Sequence, residues 1–575
     1  MTKIVINFSK QSFSYFKDNN IENFYDFSRI WDEERNLFDV NISSSIEVYK
    51  HVINKIFEHS FITNIKINDY PIFHLTETAE KHIDWCWLHD FCYFISFVKE
   101  NICKFKEHDF LEIHAPSQLN SNRKFFEDFF SKNDIKIPYK VYYYGNNNYI
   151  KGIKSIVKIF FKFFIFSISS RKKLGNNSEY LFISSSSYKS IVFRSLSGFF
   201  KSCGSKLGFL NVNDWVKKSF LSRVEENYLK SKPSLIWVLS LLAKLYALRY
   251  TLKIKKSNNI KIEGCNLNLD FLIVELINNS AGEFAICTLI NNKWLQKYFS
   301  KQKDIKSIFY EDEFYIFGKS ISLAKLLSKR SSSFTSYGVQ HSHITKFQTL
   351  YYLSDNECKT KFPSPDYIII WGNYYRNLLM QNRINKVTKI LPIGIPLYFK
   401  DRNITKNNIH NNNPKKVLWC LTTYSAFLNE VSIIQNSKNI KNFELTIRKH
   451  PTNPACSFFN ENTISKYNLG HFKIDNLESS IQNKIKQSDL ILVSHHSTII
   501  NDCIFADKYF LIFGNENFSK ASNEFPIPIV YSTKILDNKL KSFMENNRLD
   551  LGDFNPEEFI LSDSIFFKRH FFSKK

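Results

Sequence analysis

The chain has 575 residues, and its 78 Lys+Arg against 54 Asp+Glu give a formal net charge of +24. With 43% hydrophobic and 23% charged residues it can bury several cores, and its 15 Gly and 14 Pro exclude collagen-like and Gly- or Pro-rich architectures. The positive charge predicts an anionic partner, which is nucleic acid, an anionic membrane face or a phosphorylated substrate.

The N-terminal residues MTKIVINFSKQSF have no apolar core segment and no small-residue cleavage site, so we expect a cytoplasmic protein rather than a secreted one. The 10 Cys form no CxxC and no Cys/His cluster with zinc spacing. This pattern predicts reduced, buried thiols, no disulfide framework and no structural metal.

One basic stripe has two interpretations. Lys151, Lys154, Lys158 and Lys162 recur at helical spacing within Ile150–Leu174, with Ile and Phe on the remaining surface. The apolar runs are too short to span a bilayer. The segment is either an interfacial helix on anionic lipid or a core helix with a solvated Lys edge. A second segment, at about 233–256, is a weaker case in which core packing is favoured.

Short buried-type strands separated by helix-length segments predict an α/β protein with parallel, Rossmann-like sheets. An Asn-rich run at 401–416 predicts a linker between a first domain at 1–400 and a second at 417–555, with a C-terminal helix at 556–575 that can return to the first domain. The predicted upstream strands are Ile4–Phe8, Phe110–His114, Tyr180–Ser184, Lys206–Leu210, Phe271–Glu275, Thr335–Val339, Tyr367–Trp371 and Ile390–Ile393. Those of the second domain are Val417–Leu421, Phe443–Arg448, His471–Ile474, Leu490–Val493 and Tyr509–Phe513.

The sequence lacks the motifs that are typical of several functional classes. The chain contains no zinc finger, no RNP-like strand, no GxxxxGK[ST] loop and no GxGxxG. These gaps disfavour nucleic-acid binding, NTPase activity and dehydrogenase activity.

Polar residues instead follow predicted strands, where ligands bind in parallel α/β sheets. Hydroxyls and free backbone N–H groups at a helix start form an anion site, although simple N-capping explains the same residues. Basic side chains at a strand end suit a phosphate, although a solvated basic loop explains them as well. The four groups are Gln340, His341 and His343; Arg448, Lys449 and His450; Ser494, His495, His496, Ser497 and Thr498; and Thr422 with Thr423.

The order of the motifs resembles the GT-B glycosyltransferases that build bacterial surface polysaccharides, including polysialyltransferase-like, Kdo-transferase-like and CDP-glycerol polymerase-like enzymes. The matching pieces are Gln340-His341, Pro365-Asp-Tyr367, Leu391-Pro-Ile-Gly394, Arg448-Lys-His-Pro451 and Ser488-Asp-Leu-Ile-Leu-Val-Ser494 with Ser497 and Thr498. The upstream half is similar to surface-carbohydrate proteins related to retaining Kdo transferases, on Leu75–Lys81, Leu111–Pro116, Asn279–Gly282, Tyr310–Glu313 and Pro365–Tyr367.

The resemblance implies two Rossmann-like domains with parallel sheets facing across a cleft, and a metal-independent sugar transfer with no cofactor. It implies a donor site for a cytidine nucleotide at Arg448, His450, Pro451, Ser494, Ser497, Thr498, Thr422 and Gly394. Gln340 and His343 are expected on the acceptor side. The catalytic carboxylate is expected among Glu80, Glu313, Glu77 and Glu283, with His341 as the alternative base.

The predicted function is therefore a glycosyltransferase of O-antigen or capsule synthesis. Its expected donor is a CMP-activated ulosonic acid such as Kdo or a sialic-acid-like sugar, and its expected acceptor is a glycan or lipid-linked glycan at the inner membrane face. A CDP-glycerol or CDP-ribitol polyol-phosphate transferase is one alternative. A non-catalytic basic protein bound to membrane or nucleic acid is the other.

Overall fold

A computed structural model gives the fold of part of the chain. It describes residues 3–7, 19, 25–26, 47–54, 66–67, 70–71, 92, 94–95, 110–116, 125–132, 136–144, 178–184, 191–211, 261–262, 267–268, 283–311, 314, 316–341, 343–344, 349–399, 415–421, 424–449, 459–494, 497, 499–514, 529–546, 549, 554–561 and 563–572. The basic stripe at Ile150–Leu174, the second segment at 233–256 and the predicted strand Phe271–Glu275 lie outside these residues.

The described residues contain 20 strands, of which 12 were predicted with close bounds and 8 were not predicted. They are β1 (Lys3–Asn7), β2 (Tyr25–Asp26), β3 (Lys66–Ile67), β4 (Tyr70–Pro71), β5 (Phe110–Pro116), β6 (Tyr139–Tyr144), β7 (Tyr180–Ser184), β8 (Leu207–Asn211), β9 (Lys261–Ile262), β10 (Leu267–Asn268), β11 (Ser307–Tyr310), β12 (Thr335–Val339), β13 (Tyr367–Ile370), β14 (Lys389–Pro392), β15 (Lys416–Cys420), β16 (Glu444–Arg448), β17 (Lys473–Ile474), β18 (Leu490–Ser494), β19 (Tyr509–Phe513) and β20 (Ile529–Val530).

Helices separate most of these strands. The described α-helices are Phe125–Lys132, Ile191–Ser202, Glu283–Lys301, Ile316–Leu326, Asp355–Lys359, Asn373–Gln381, Tyr424–Gln435, Glu461–Lys466, Ile481–Gln487, Ile499–Phe505, Thr533–Asn546, Pro556–Phe559 and Ser564–Phe572. Within the described part of the chain no helix combines the length and the apolar character needed to cross a bilayer.

Three parallel sheets organise these elements, so the α/β class with Rossmann-like parallel sheets is confirmed. Sheet I has the order β2-β1-β5-β6, sheet II has β14-β13-β12-β11-β7-β8, and sheet III has β17-β16-β15-β18-β19-β20. Two antiparallel pairs, β3-β4 and β9-β10, stand apart from them. Runs such as Tyr-Ile-Ile-Ile in β13 and Leu-Ile-Leu-Val in β18 suit strands that are covered on both faces.

The chain divides into two compact units. The first contains sheets I and II and continues to Leu397, while the second contains Tyr398–Lys575 with Gly372–Tyr374. The C-terminal helix Ser564–Phe572 belongs to the second unit, in which Phe567 contacts Phe399 with ring centroids 5.5 Å apart. Residues 401–414 of the predicted linker are outside the described residues, and β15 begins at Lys416.

The sequence pattern predicts a Rossmann-like sheet in this region but does not specify its strand order. Numbered within the sheet, its strands run 3-2-1-4-5-6, the order of a dinucleotide-binding Rossmann sheet. The connections leave the sheet in opposite directions from β15 and β18, which are neighbours. Their carboxyl ends therefore flank a topological switch point, where ligands bind in open α/β sheets.

Candidate functional site

The register of sheet III brings several predicted donor-side residues to one edge. Cys420 at the end of β15 lies opposite Arg448 at the end of β16 and opposite Val493 on β18, so Ser494 is one residue farther along. The Leu421 N–H then donates to the Arg448 carbonyl at 2.8 Å. Strand pairing alone therefore aligns Arg448 and Ser494 at the switch-point edge.

Arg448 is already paired within this unit. Its guanidinium donates to the Asp475 carboxylate and, at 2.9 Å, to the Ser479 carbonyl. The Lys484 ammonium lies 3.0 Å from the other Asp475 oxygen. Both members of the Arg448–Asp475 pair are buried. The charge of Arg448 thus stabilises the ends of β16 and β17, and its role as a direct donor-phosphate contact stays a prediction.

Lys449, the next residue along the chain, is exposed at the same edge. It adds a positive charge at this edge that a long, flexible side chain can direct to an anion. His450, Pro451, Thr422 and Thr498 lie outside the described residues, as do His495 and His496.

Ser494 contacts a carboxyl group that sequence reasoning missed. Its hydroxyl donates to Oε1 of Glu430, and the Trp419 indole N–H donates to Oε2 of the same residue at 2.6 Å. Glu430 lies in the helix Tyr424–Gln435 and has no solvent-exposed surface. It joins the two strands at the switch point, because Trp419 belongs to β15 and Ser494 to β18.

Burial raises the pKa of the Glu430 carboxyl from 4.5 to about 7, although its bonds with Ser494 and Trp419 act in the opposite direction. The signal in the sequence is a single acid in a largely apolar stretch, Phe427-Leu-Asn-Glu-Val-Ser-Ile-Ile434. An acid on the buried side of an amphipathic helix needs hydrogen-bond partners, and this requirement could have singled out Glu430.

Ser497 closes the turn after β18. Its backbone N–H donates to the Ser494 carbonyl at 3.0 Å, and its hydroxyl accepts from the Ile499 N–H at 3.3 Å. The side chain therefore serves the start of the helix Ile499–Phe505, which agrees with the N-capping alternative. This helix has only 7 residues, and the anion site expected at its start stays a prediction.

The predicted acceptor-side residues lie at the carboxyl edge of sheet II. Gln340 is buried, and its side-chain oxygen accepts from the Trp371 backbone N–H at 3.0 Å, while its carbonyl accepts from the Trp371 indole at 2.9 Å. Nδ1 of the buried His343 lies 2.8 Å from the Tyr375 hydroxyl. Both side chains hold strand ends and helices in place within the first unit. His341 between them is half-buried and stays the candidate base.

Gly394 belongs to the first unit as well, beyond the end of β14. Its φ of 71° is in the left-handed region, and its N–H donates to the Ile370 carbonyl at 3.1 Å. Glycine adopts this conformation without steric cost, so the turn itself explains the residue. Its donor-binding role stays a prediction.

The candidate catalytic carboxylates are not placed by the structure. Glu77, Glu80 and Glu313 lie outside the described residues, and Glu283 begins the helix Glu283–Lys301 with its side chain likewise outside them.

Two motifs of the upstream resemblance, Pro365–Tyr367 and Leu111–Pro116, contain residues that pair with other side chains of the first unit. Asp366 lies at the amino end of β13, where it accepts from the Ser336 N–H at 2.7 Å and pairs with Lys325 at 2.7 Å. His114 and Glu112, both buried on β5, pair at 2.8 Å.

No family model and no curated protein matches the chain. Among solved structures, it is similar to MurG of Acinetobacter baumannii at 8% identity, with a TM-score of 0.35 over 64% of this chain and 90% of that chain. It is similar to the wall teichoic acid polymerase TagF at 11% identity, with a TM-score of 0.34 over 69% of this chain and 87% of that chain. It is also similar to HepE of Anabaena in complex with UDP at 9% identity, with a TM-score of 0.33 over 69% of this chain and 96% of that chain. These TM-scores are below 0.5, so the strand order and the site residues of the chain itself carry the functional argument.

Proposed function

We propose that the chain is a glycosyltransferase of the GT-B type that transfers a sugar from a cytidine-nucleotide donor to a surface-glycan acceptor. The observation that carries the proposal is the switch point of sheet III, with its 3-2-1-4-5-6 strand order. Such an edge binds nucleotides in open α/β sheets. The motif order of the sequence supports the assignment of the nucleotide as cytidine.

The positive field at this edge suits the leaving phosphate. Lys449 is exposed there and His450 follows it along the chain, whereas Asp475 balances the charge of Arg448. A preorganised cationic edge stabilises the charge that develops on a departing nucleotide. We therefore assign direct phosphate contact to Lys449 and His450, and a supporting role to Arg448.

The preferred donor is a CMP-activated ulosonic acid such as Kdo or a sialic-acid-like sugar, and the close rival is CDP-glycerol or CDP-ribitol. Both use the same cytidine edge. They differ in the group transferred as CMP leaves, which is a glycosyl group that bears a carboxylate in one case and a polyol phosphate in the other. The acceptor proton is taken by a carboxylate of the first unit or by His341.

The test incubates the full chain with CMP-Kdo, CMP-sialate or CDP-glycerol, each with a glycan acceptor, and measures released CMP. We expect release from a CMP-sugar. Release from CDP-glycerol alone would assign the polyol-phosphate reaction, and release from none of the three donors would overturn the proposal.

The donor edge is tested by His450→Ala, with His471→Ala as the matched control. His471 is an exposed histidine preceding β17, on the opposite edge of the same sheet. We expect the affinity for CMP, measured by calorimetry, to fall for His450→Ala and to be unchanged for His471→Ala. Equal affinities in both variants would show that the nucleotide phosphate binds elsewhere.

Attachment to an anionic membrane face is part of the proposal and is supported by the net charge of +24. Flotation with liposomes of phosphatidylglycerol and phosphatidylcholine tests it. We expect binding that weakens as salt increases, and deletion of Ile150–Leu174 tests whether the basic stripe contributes. Absence of binding at low salt would contradict the attachment.

A further inference from the structure

Glu430, in the helix Tyr424–Gln435, contacts both switch-point strands of sheet III. The Trp419 indole of β15 holds its Oε2 at 2.6 Å, and the Ser494 hydroxyl of β18 holds its Oε1. The carboxyl is completely buried, so these two bonds fix its orientation. The tryptophan supplies a donor only, because an indole nitrogen has no lone pair to accept a hydrogen bond.

This asymmetry determines which oxygen of Glu430 can carry a proton. Oε2 always accepts from Trp419, so a proton taken up by the carboxyl resides on Oε1, the oxygen that faces Ser494. In the ionised state the Ser494 hydrogen must point to Oε1. In the protonated state the carboxyl donates to Ser494 Oγ, and the serine hydrogen becomes available to another acceptor.

We propose that Glu430 is a positioning residue that controls the direction of the Ser494 hydroxyl, so that a phosphate-bearing ligand at the switch point binds together with one proton taken up by Glu430. The inference rests on the proposed function, because it assigns the anion of the nucleotide to this edge. A phosphate accepts hydrogen bonds, so it favours the state in which Ser494 can donate.

Burial raises the pKa of Glu430 to about 7, so near neutral pH the binding of a ligand can change the protonation of this carboxyl. The titratable group that interacts with it from β15 is Cys420, whose thiol burial keeps neutral by raising its pKa. The same thiol interacts with Arg448 from β16, with Asp475 after β17 and with Asp502 from the following helix. Arg448 pairs with one oxygen of Asp475, and the Lys484 ammonium lies 3.0 Å from the other.

The linkage between proton uptake and ligand binding determines whether the ligand affinity rises or falls with pH. Above the pKa of Glu430 in the free protein, a ligand that requires its protonated form loses affinity as pH rises, by up to about tenfold per pH unit. Nucleotide phosphates titrate as well, with a pKa near 6 for a monoester, so the comparison between variants isolates the protein's contribution.

The main variant is Glu430→Gln. The glutamine amide can accept from Trp419 and donate to Ser494, which reproduces the protonated state at every pH. The matched control is Asp502→Asn. Burial also raises the pKa of Asp502, to about 6, but its hydrogen bond is with Gln482 and not with Ser494.

The experiment titrates the full chain with CMP and CDP by calorimetry between about pH 6 and 8.5, in two buffers that differ in ionisation enthalpy. We expect the wild type and Asp502→Asn to lose about tenfold more affinity than Glu430→Gln over the alkaline part of this range. We expect uptake of about one more proton per nucleotide in wild type than in Glu430→Gln near pH 8. If Glu430→Gln does not fold, Ser494→Ala replaces it, with the same expected loss of pH dependence.

Two results would overturn the inference, and they differ in what else they affect. Equal pH slopes and equal proton uptake in wild type and Glu430→Gln would remove the role of Glu430 but leave the nucleotide site intact. Failure of wild type to bind either nucleotide at any pH would remove the proposed function together with this inference.

Discussion

Sheets II and III each contain a fully buried tryptophan near the strand ends whose indole N–H donates a hydrogen bond, but the acceptors differ. Trp371 of the first unit donates to the backbone oxygen of Gln340 at 2.9 Å. Trp419 of the second unit donates to the Glu430 carboxyl at 2.6 Å. The first contact keeps the same protonation state at any physiological pH, whereas the second involves a group that titrates near neutrality.

The side chains around the two tryptophans differ in the same way. The carboxyl edge of sheet II is held by side-chain hydrogen bonds of Gln340 with Trp371 and of His343 with Tyr375. The edge of sheet III contains a buried ion pair and a buried carboxyl. Hydrogen bonds to backbone groups fix geometry, whereas a buried ion pair and a buried carboxyl also couple that geometry to protons and to charged ligands.

The largest effect is expected from breaking the ion pair of sheet III. Arg448→Met leaves Asp475 buried with Lys484 as its remaining cation, and we expect a loss of about 3–5 kcal/mol in the free energy of unfolding, measured with urea. Arg383→Met is the matched control, because its pair with Asp355 is exposed and should contribute at most about 1 kcal/mol. A loss no larger than that of the control would contradict the difference between the edges.

The pH dependence of stability gives the next effect. The pKa of Glu430 is raised in the folded state, from 4.5 to about 7, so its contribution is complete below about pH 4.5 and is lost as pH rises to about 7. Wild type should therefore lose up to roughly 3 kcal/mol relative to Glu430→Gln across this window. Urea unfolding at several pH values measures it, with the exposed Glu444→Gln as the control. A constant difference between wild type and Glu430→Gln would show that Glu430 does not titrate there.

The two tryptophans allow a direct test of the difference between the edges. Trp419→Phe leaves one oxygen of a buried carboxyl without its donor, which should cost about 1–3 kcal/mol and raise the pKa of Glu430 further. Trp371→Phe removes a donor from a neutral carbonyl, so we expect about 0.5–1.5 kcal/mol and no added pH dependence. Calorimetric unfolding at pH 5 and pH 8 compares them, and identical pH profiles would contradict the expectation.

The smallest effect concerns sheet II alone. Tyr375→Phe removes the hydroxyl beside His343 Nδ1, and we expect a loss of about 0.5–1.5 kcal/mol in stability without a change in CMP affinity. Tyr531→Phe, at an exposed tyrosine, is the control. A fall in CMP affinity for Tyr375→Phe, measured by calorimetry, would connect the edge of sheet II with donor binding.

Much of the second unit follows from local sequence. The strand Tyr509–Phe513 was predicted with its observed bounds, and Leu490–Val493 extends by one residue to Ser494. Buried apolar runs bounded by polar turns carry this signal. The strand β11 of the first unit was missed although all residues of Ser307–Tyr310 are buried, because no Gly or Pro flanks this short run, whereas Pro392 and Gly394 mark the end of the equally short β14.

The sequence by itself determined the α/β class, most strand positions and the polar residues that follow the strands, because these depend on local hydrophobic pattern. Only the tertiary structure decided the strand order of sheet III, the pairing of Arg448 with Asp475 and the contact of Glu430 with Trp419 and Ser494. These contacts join residues that are 11 to 64 positions apart. Their protonation and charge balance depend on burial, which the order of residues along the chain does not specify.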